Sequence, residues 1–405
     1  MTGPLEGLKV FDLTRVLAGP WCTQILGDLG AEIVKVERPG AGDDTRGFAP
    51  PFIPDDKGEE TGESAYFAGT NRNKRSITID ISSPEGQALA RRLIAECDIL
   101  VENFKVGALA KYNLAWDQLK DQFPRLIYCS ITGFGATGPY AERPGYDGLV
   151  QAMGGIMSLT GEPDGVPMKI GVPIADLMAG MYATVSVLAA VRHQEATGEG
   201  QHIDIGMLDT HVAWLANQGM NYLATGEDPP RLGNQHPNIV PYQVMPTADG
   251  YIVLSVGNDP TFERFCKLAG CEELLEDERF QTNATRVTNR AHVTETLNEI
   301  TAKQTSAWWL ENLEQHSIGC GPINSLSEVF ADPQVASRHM VLEMDHPATG
   351  TAPVKLIASP IRMTGTPVAY RHAPPTLGQH TEEVLAEMLG LSVDEVAKLR
   401  DDGVV

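Results

Sequence analysis

Short apolar runs alternate with amphipathic ones through the first third of the chain. LKVFDL (8–13), AEIVKVE (31–37), SITIDI (76–81), DILVENF (98–104) and LIYCSITGF (126–134) are short and rich in β-branched residues, and read as strands. Between them, GPWCTQILGDLG and SSPEGQALARRLIAEC carry helical spacing. The second opens with Ser83 as N-cap and Pro84 at the first helical position, a strong start signal. Strands alternating with helices of about a dozen residues predict a Rossmann-like open parallel sheet with helices on both faces. Ligands of such sheets sit at the carboxyl ends of the strands.

The pattern changes further on. A long helix ends near Arg192, and EATGEGQHIDIGML turns into one more strand and helix. The segment 225–243, rich in Pro, Gly and Asn, reads as a linker. YQVMPTADGYIVLSVGND then predicts two strands joined by an Asp-Gly turn, with the short helices TFERFCKLAG and TSAWWLENLEQ after it. The expected layout is a large α/β domain over 1–200, completed by about 376–405. A connecting strand and helix follow at 201–225, then a small α+β domain at 226–330 and an extended return at 331–375.

Composition narrows the classes of function. Of 405 residues, 53 are acidic and 31 basic, a net charge of -22. Nucleic-acid binding and polybasic membrane contact both need a positive surface, so neither is expected. The six cysteines (Cys22, Cys97, Cys129, Cys266, Cys271, Cys320) form no CxxC pair and read as reduced thiols of a cytoplasmic protein. The opening MTGPLEGLKVFDL has no basic segment ahead of an apolar one, so no signal peptide is expected. Asp176 and small residues interrupt the best apolar run, so no membrane span is expected either. The ten histidines lack ligand spacing, and no metal is predicted.

GFGATG (133–138) matches the dinucleotide fingerprint G-x-G-x-x-G directly after a strand. Pro139 falls where the helix should open, and no acidic residue ends a strand some twenty residues on, so a glycine-rich turn is the better reading. Asp176 is the more informative residue. GVPIADLMAGMYATVSVLAAV (171–191) reads as one buried helix, with Pro173 placing Asp176 near its positive end. Ala179, Gly180 and Ala183 on the same face leave room for another chain or a ligand; the competing reading is a dipole-stabilising aspartate over a close helix crossing. NRNKRS (71–76) concentrates three cations in an acidic protein. Arg38, Asn103 and Lys111 recur beside strand ends, where together they could meet a polyanion; for any one of these charges alone, ordinary surface solvation is the better reading.

These residues carry a family resemblance. LEGLKVFDLTRVLAGPWCTQILGDLGAEIVKVERPGAGD, NRNKRSITIDI, ILVENFKVGAL, GYDGL, Asp176 in its helix and GNQHPNIVPYQ resemble the family III CoA-transferases over essentially the whole chain. The resemblance implies Asp176 as nucleophile. It implies a CoA site lined by Leu17, Ala18, Arg38, Asn103, Phe104, Lys111, Tyr146 and Asp147, with a further segment from Ile79 to Ser82. It also implies an interlocked homodimer, a CoA thioester as substrate with no permanently bound cofactor, and a carboxylic acid as acceptor.

Three departures refine it. Leu17 stands where formyl-CoA transferases carry glutamine, and VGNDP (256–260), with Gly257 and Asn258, stands where they carry a run of glycines over the substrate. Lys111 replaces the usual arginine. The expected donor is therefore succinyl-CoA or another C4–C5 dicarboxylyl-CoA. Two alternatives follow from the same motifs. An α-methylacyl-CoA racemase would need a histidine where Tyr146 stands, and a non-catalytic acyl-CoA-binding protein would not need Asp176.

Overall fold

The computed structural model describes residues 3–405. Strands β1 (Lys9–Asp12), β2 (Glu32–Glu37), β3 (Lys74–Thr78), β4 (Ile99–Glu102), β5 (Ile127–Thr132) and β6 (His202–Gly206) form one sheet in the order β3-β2-β1-β4-β5-β6. Every neighbouring pair is parallel. The chain starts at the centre, winds outward to β3, then returns to lay β4 against the other side of β1. This reversal opens a crevice beyond the carboxyl ends of β1 and β4, the place where doubly wound sheets bind ligands.

Helices α1 (Ala18–Asp28), α2 (Pro84–Ala95), α3 (Asp147–Met153), α4 (Ile174–Thr197) and α5 (Met207–Ala213) accompany these strands. Side chains alternate between two cores because successive strand residues point to opposite faces. Val10, Ile33, Ile99, Val101, Ile127 and Cys129 pack with α1 and α4. Phe11, Val34, Val36, Leu100 and Tyr128 pack with α2 and the helices Thr381–Leu389 and Val393–Asp401. The start of α2 is as the sequence predicts: Ser83 Oγ accepts the Gly86 N–H at 3.0 Å.

Helix α4 differs from its expectation. It buries one stripe, Ala175, Ala179, Ala183, Val187 and Ala190, while Val185 on the other side is 59% exposed. Asp176 lies in its first turn, so the charge interrupts only the end of the apolar run. The helix is 24 residues long with a mean hydropathy of 1.7 over its most apolar stretch, long and apolar enough to cross a membrane by length and composition. Its small-residue face is occupied by α1: a Cβ on Gly180 would lie 2.6 Å from the Ala18 carbonyl oxygen. The close helix crossing, not an open groove, explains these small residues.

By internal contacts the chain divides into two units. The first comprises the chain up to Gly154, Gly171–Trp214 and Ala336–Val405; the second comprises Gly155–Ile170 and Leu215–Val335. The 201–225 stretch is thus shared, β6 completing the large sheet and the helix Ala216–Thr225 falling in the second unit. The return segment pairs Val341–Met344 with Val354–Ile357 antiparallel inside the first unit. In the second unit the predicted hairpin, Tyr242–Pro246 with Tyr251–Ser255, takes Gly319–Gly321 as a third antiparallel strand. Phe262, Phe265 and Trp309 fill the core behind it.

The cations of NRNKRS are neither solvated nor offered to a ligand. Arg72 pairs with Asp28 at 2.5 Å, Lys74 with Asp12 at 3.2 Å, and Arg75 with Glu32, Glu383 and Glu387. A second buried lysine, Lys35 on β2, bridges Asp43 at 2.9 Å, and neither side chain has any exposed surface. Burial alone would raise the Asp43 carboxyl, but the Lys35 charge and the Thr45 hydrogen bonds outweigh it and hold the group at about 2. A depressed carboxyl contributes stability above its ordinary pKa and loses it as pH falls through the folded value, so this bridge persists down to about pH 2.

Removing one partner of such a pair leaves a buried charge uncompensated, at a cost of about 3–5 kcal/mol. Lys35→Met should therefore lower unfolding free energy in denaturant titrations by that amount, and adding Asp43→Asn should recover part of it. A Lys35→Met protein as stable as its parent would show the bridge to be dispensable.

Candidate active site

The site is built from the turn between β1 and α1. Asp12, the last residue of β1, accepts the Thr14 N–H at 2.9 Å, the Thr14 hydroxyl at 2.5 Å and the Thr23 hydroxyl at 2.7 Å. Lys35 Nζ donates to the Thr14 carbonyl at 3.0 Å, and Asp43 accepts the Val16 N–H at 3.1 Å. So held, the chain passes through Val16 at φ 68°, a left-handed conformation costly for a β-branched residue. Helix α1 then begins at Ala18 without a side-chain cap from Leu17. One of its orphan N–H groups, that of Ala18, lies near enough to the Asp176 carboxylate to favour its ionised form.

Asp176 is half-buried in the first turn of α4. Burial first, then the nearby charge of Asp147, pushes its carboxyl up to about 7, against the pull of the Ala18 N–H. Asp147 in turn accepts the Ala175 N–H at 2.9 Å and a Gln151 side-chain N–H at 2.7 Å. Asp147 therefore fixes the start of α4 and disfavours a second negative charge beside it. The Tyr66 phenol is near as well, pushed up by its burial and then by the charges of Asp176, Asp147 and Asp43.

Two cavities open along the crevice. One, about 270 Å³, is lined by Asp176, Asp147, Tyr146, Ala18, Asn103 and Arg143 among others. The other, about 490 Å³, is lined by Arg38, Ile79, Ser82, Tyr112 and the carboxyl ends of β1 and β2. Arg15, Phe104 and Lys105 line both. Asn103 ties the two sides of the crevice: its Oδ1 accepts the Arg15 N–H at 2.9 Å and its Nδ2 donates to the Arg15 carbonyl at 2.7 Å. The Arg15 guanidinium lies 5.1 Å from the centre of the Phe104 ring.

Of the residues expected from sequence, Ala18, Arg38, Ile79, Ser82, Asn103, Phe104, Tyr146, Asp147 and Asp176 therefore line one or other cavity. Leu17 is buried at the start of α1 and Lys111 points over the Tyr112 ring at 4.6 Å; neither lines these cavities. Gly257 and Asn258 belong to the second unit, where Asn258 Oδ1 caps the helix Asp259–Ala269 by accepting the Thr261 N–H at 2.9 Å. Arg286, fully buried, holds the adjacent Asp259 at 2.7 Å. Arg15, Lys105, Arg143 and Tyr66 were not expected. Arg15 and Lys105 each lie just beyond a predicted strand end, a signal available in the sequence, whereas nothing local marks Arg143 or Tyr66.

The glycine-rich turn also finds its reason. A Cβ on Gly133 would lie 2.4 Å from the Gly145 Cα, so the loop after β5 folds back on the segment that carries Tyr146 and Asp147. Gly135 and Gly138 take φ 82° and 89°, and no helix opens after them. The arrangement offers a partly desolvated carboxylate near one N–H donor, beside a long cleft with the cations Arg15, Arg38, Lys105 and Arg143 along its rim, Arg15 pairing with Asp44 at 3.1 Å. That suits nucleophilic attack on an electrophile carried by a large polar ligand.

The chain matches the family model CoA-transferase family III over residues 5–381. It is 49% identical to a succinate–glutarate CoA-transferase of Agrobacterium fabrum, over 95% of this chain and 96% of that protein. It is 41% identical to the succinyl-CoA:glutarate CoA-transferase of Homo sapiens, over 99% of this chain and 90% of that protein. A solved structure of a CaiB/BaiF family protein from Brucella suis is 48% identical, covers 96% of this chain and 100% of its own, and superposes with a TM-score of 0.84. The chain belongs to CoA-transferase family III and is a CoA-transferase, moving coenzyme A between an acyl-CoA and a carboxylic acid.

Proposed function

We propose that this enzyme moves CoA from succinyl-CoA, or a similar C4–C5 dicarboxylyl-CoA, to a dicarboxylic acid such as glutarate, with Asp176 as nucleophile. The observation that carries the reading is Asp176 itself, half-buried, raised to about 7 and facing a cavity continuous in its lining with the larger one at Arg38. The relatives named above act on succinate and glutarate, which supports the substrate class.

In the proposed route the Asp176 carboxylate attacks the thioester carbonyl carbon. The C–S bond breaks, leaving an acyl-aspartyl anhydride and CoA thiolate. The thiolate attacks the aspartyl carbonyl, releases the first acid and leaves an aspartyl-CoA thioester. The acceptor carboxylate then attacks that thioester, and the returning thiolate attacks the acyl carbon of the new anhydride, freeing Asp176. The Ala18 N–H, which already favours the ionised carboxylate, would hold the oxyanion that forms when the aspartyl carbonyl is attacked. Arg38, with Arg15 and Lys105, would meet CoA phosphates, while Ile79, Ser82 and Phe104 line the cleft beside them. Racemisation is the weaker reading: Tyr146, at the position of the required second base, is 72% exposed.

Coenzyme A here is substrate, and the route needs no further cofactor. The protein is proposed to act as a homodimer, interlocked as the family resemblance implies. The open apolar face of α4, with Met181, Tyr182 and Val185, supports burial against a second copy. Light scattering should give twice the chain mass, and an active monomer would exclude this assembly.

Asp176→Asn should abolish transfer while leaving CoA affinity within about twofold, because the carboxylate serves a covalent step. Only the ionised form attacks, so kcat/KM should rise with pH through about 7 and level off above it. A flat profile from pH 5.5 to 8.5 would remove Asp176 from the rate equation.

A panel of CoA esters against carboxylic acids, read by mass spectrometry of the exchanged thioesters, tests the substrate class. Succinyl and glutaryl transfer should lead, and formyl-CoA with oxalate leading would overturn it. Across the same panel Arg38→Ala should raise KM for every ester by a similar factor, about tenfold, since its contact lies far from the acyl group. An effect confined to one acyl group would place Arg38 at the wrong end of the substrate.

A further inference from the structure

Glu102 ends β4 and is buried without a cation among the described residues. Asp12, Asp28, Glu37 and Asp43, the other buried carboxylates among the described residues, each have a lysine or arginine partner. Glu102 instead accepts the Phe104 N–H at 2.7 Å, and the Ser130 hydroxyl, on the residue paired with it across the strands, favours its ionised form. Ser130 Oγ is 3.0 Å from His202 Nε2, and the His202 ring stacks on Trp116. Three adjacent strands thus set Glu102 opposite Ser130 and Ser130 opposite Asp204, with His202 diagonal to Ser130 and Asp204 the further charge acting on the carboxylate. Burial, and to a smaller degree Asp204, pushes the Glu102 carboxyl up to about 7.

A buried carboxylate held only by neutral donors is costly to a fold. Its gain here is geometric. The Phe104 N–H bond closes the turn of residues 103–106, every one of which lines the cavity at Asp176. Asn103 in that turn grips Arg15 through both backbone groups, and Arg15 belongs to the strained turn that ends at the Ala18 N–H. We propose that Glu102 is a positioning residue for the transfer reaction: braced by Ser130 and His202, it fixes the 103–106 turn and, through Asn103 and Arg15, the Ala18 N–H that serves Asp176. It touches neither substrate nor reacting atoms. The inference rests on Asp176 being the nucleophile.

The Ala18 N–H opposes the rise of the Asp176 carboxyl, so loosening it has a signature that a purely structural loss lacks. Glu102→Ala should lower kcat by about tenfold or more and move the acid limb of kcat/KM upward by about half a pH unit, with the far-ultraviolet spectrum unchanged at the assay temperature. Glu102→Gln keeps an acceptor for the Phe104 N–H and can donate to Ser130, so it should restore kcat to within about threefold of wild type. Should Glu102→Ala not fold, Ser130→Ala decides: it should move the limb in the same direction, by less. Wild-type kcat and an unmoved limb in whichever of these variants folds, with Asp176→Asn inactive, would overturn the positioning role alone. Full transfer by Asp176→Asn would overturn the nucleophile and this inference with it.

Discussion

Everything at the mouth of the crevice depends on two lysines that never meet water. Lys35 and Lys74 stand diagonally to each other on the adjacent strands β2 and β3, and between them they fix Asp43, Asp12 and the carbonyls of Thr14 and Pro20. Such groups are expensive to bury, and apolar residues of similar volume often hold a fold at least as well. What apolar residues could not do is direct a backbone turn. With these bridges in place the chain is carried through an unfavourable conformation at Val16 and delivers the first N–H groups of α1 toward the next helix. The strain is local and of order 1–3 kcal/mol, and the surrounding network over-determines it.

The packing of α1 on α4 converts that turn into a site. Gly180 lets the Ala18 backbone approach α4 closely, and Asp176, one turn earlier on α4, meets the Ala18 N–H. The small residues of α4 and the carboxylate are therefore parts of one arrangement. Close approach of the helices is the condition for that N–H to act on the carboxylate. A methyl group at Gly180 would push apart the same two elements that the buried lysines bring together.

Much of this was legible in the sequence because strand and helix periodicity is local. Alternating runs and the Ser83–Pro84 start predict a doubly wound sheet, and such a sheet has its binding crevice at strand carboxyl ends. The strands of that crevice end at Asp12 and Glu102, beside motifs already marked by family resemblance. The cations were misjudged for a physical reason: charge in a sequence says nothing about which side of a strand it occupies. Arg72, Lys74 and Arg75 looked like a surface cluster, yet at the start of β3 they turn toward acids supplied by α1, β1, β2 and the helix Thr381–Leu389. Those partners lie up to about three hundred residues away in sequence, beyond any local pattern. The same holds for Arg143, on a loop, and Tyr66, in the short helix Ala65–Ala68, whose placement near the site only tertiary packing sets.

The placement of Asp147 beside Asp176 has its own logic on the proposed route. In the resting enzyme the two carboxyl groups share a partly dry site, and burial with like charge raises the energy of ionised Asp176. Acylation turns Asp176 into a neutral anhydride and then a neutral thioester. The first step removes the charge that burial and Asp147 disfavour and the second leaves Asp176 neutral, so the environment that makes the carboxylate scarce at low pH also makes its covalent forms comparatively favourable. The negative charge passes to the thiolate and the departing acid, which lie toward the open cleft and its cations at Arg15, Lys105 and Arg38. A lone carboxylate of ordinary pKa would ionise more readily but would gain less by reacting. The pair of aspartates thus trades availability of the nucleophile for a flatter path through its intermediates.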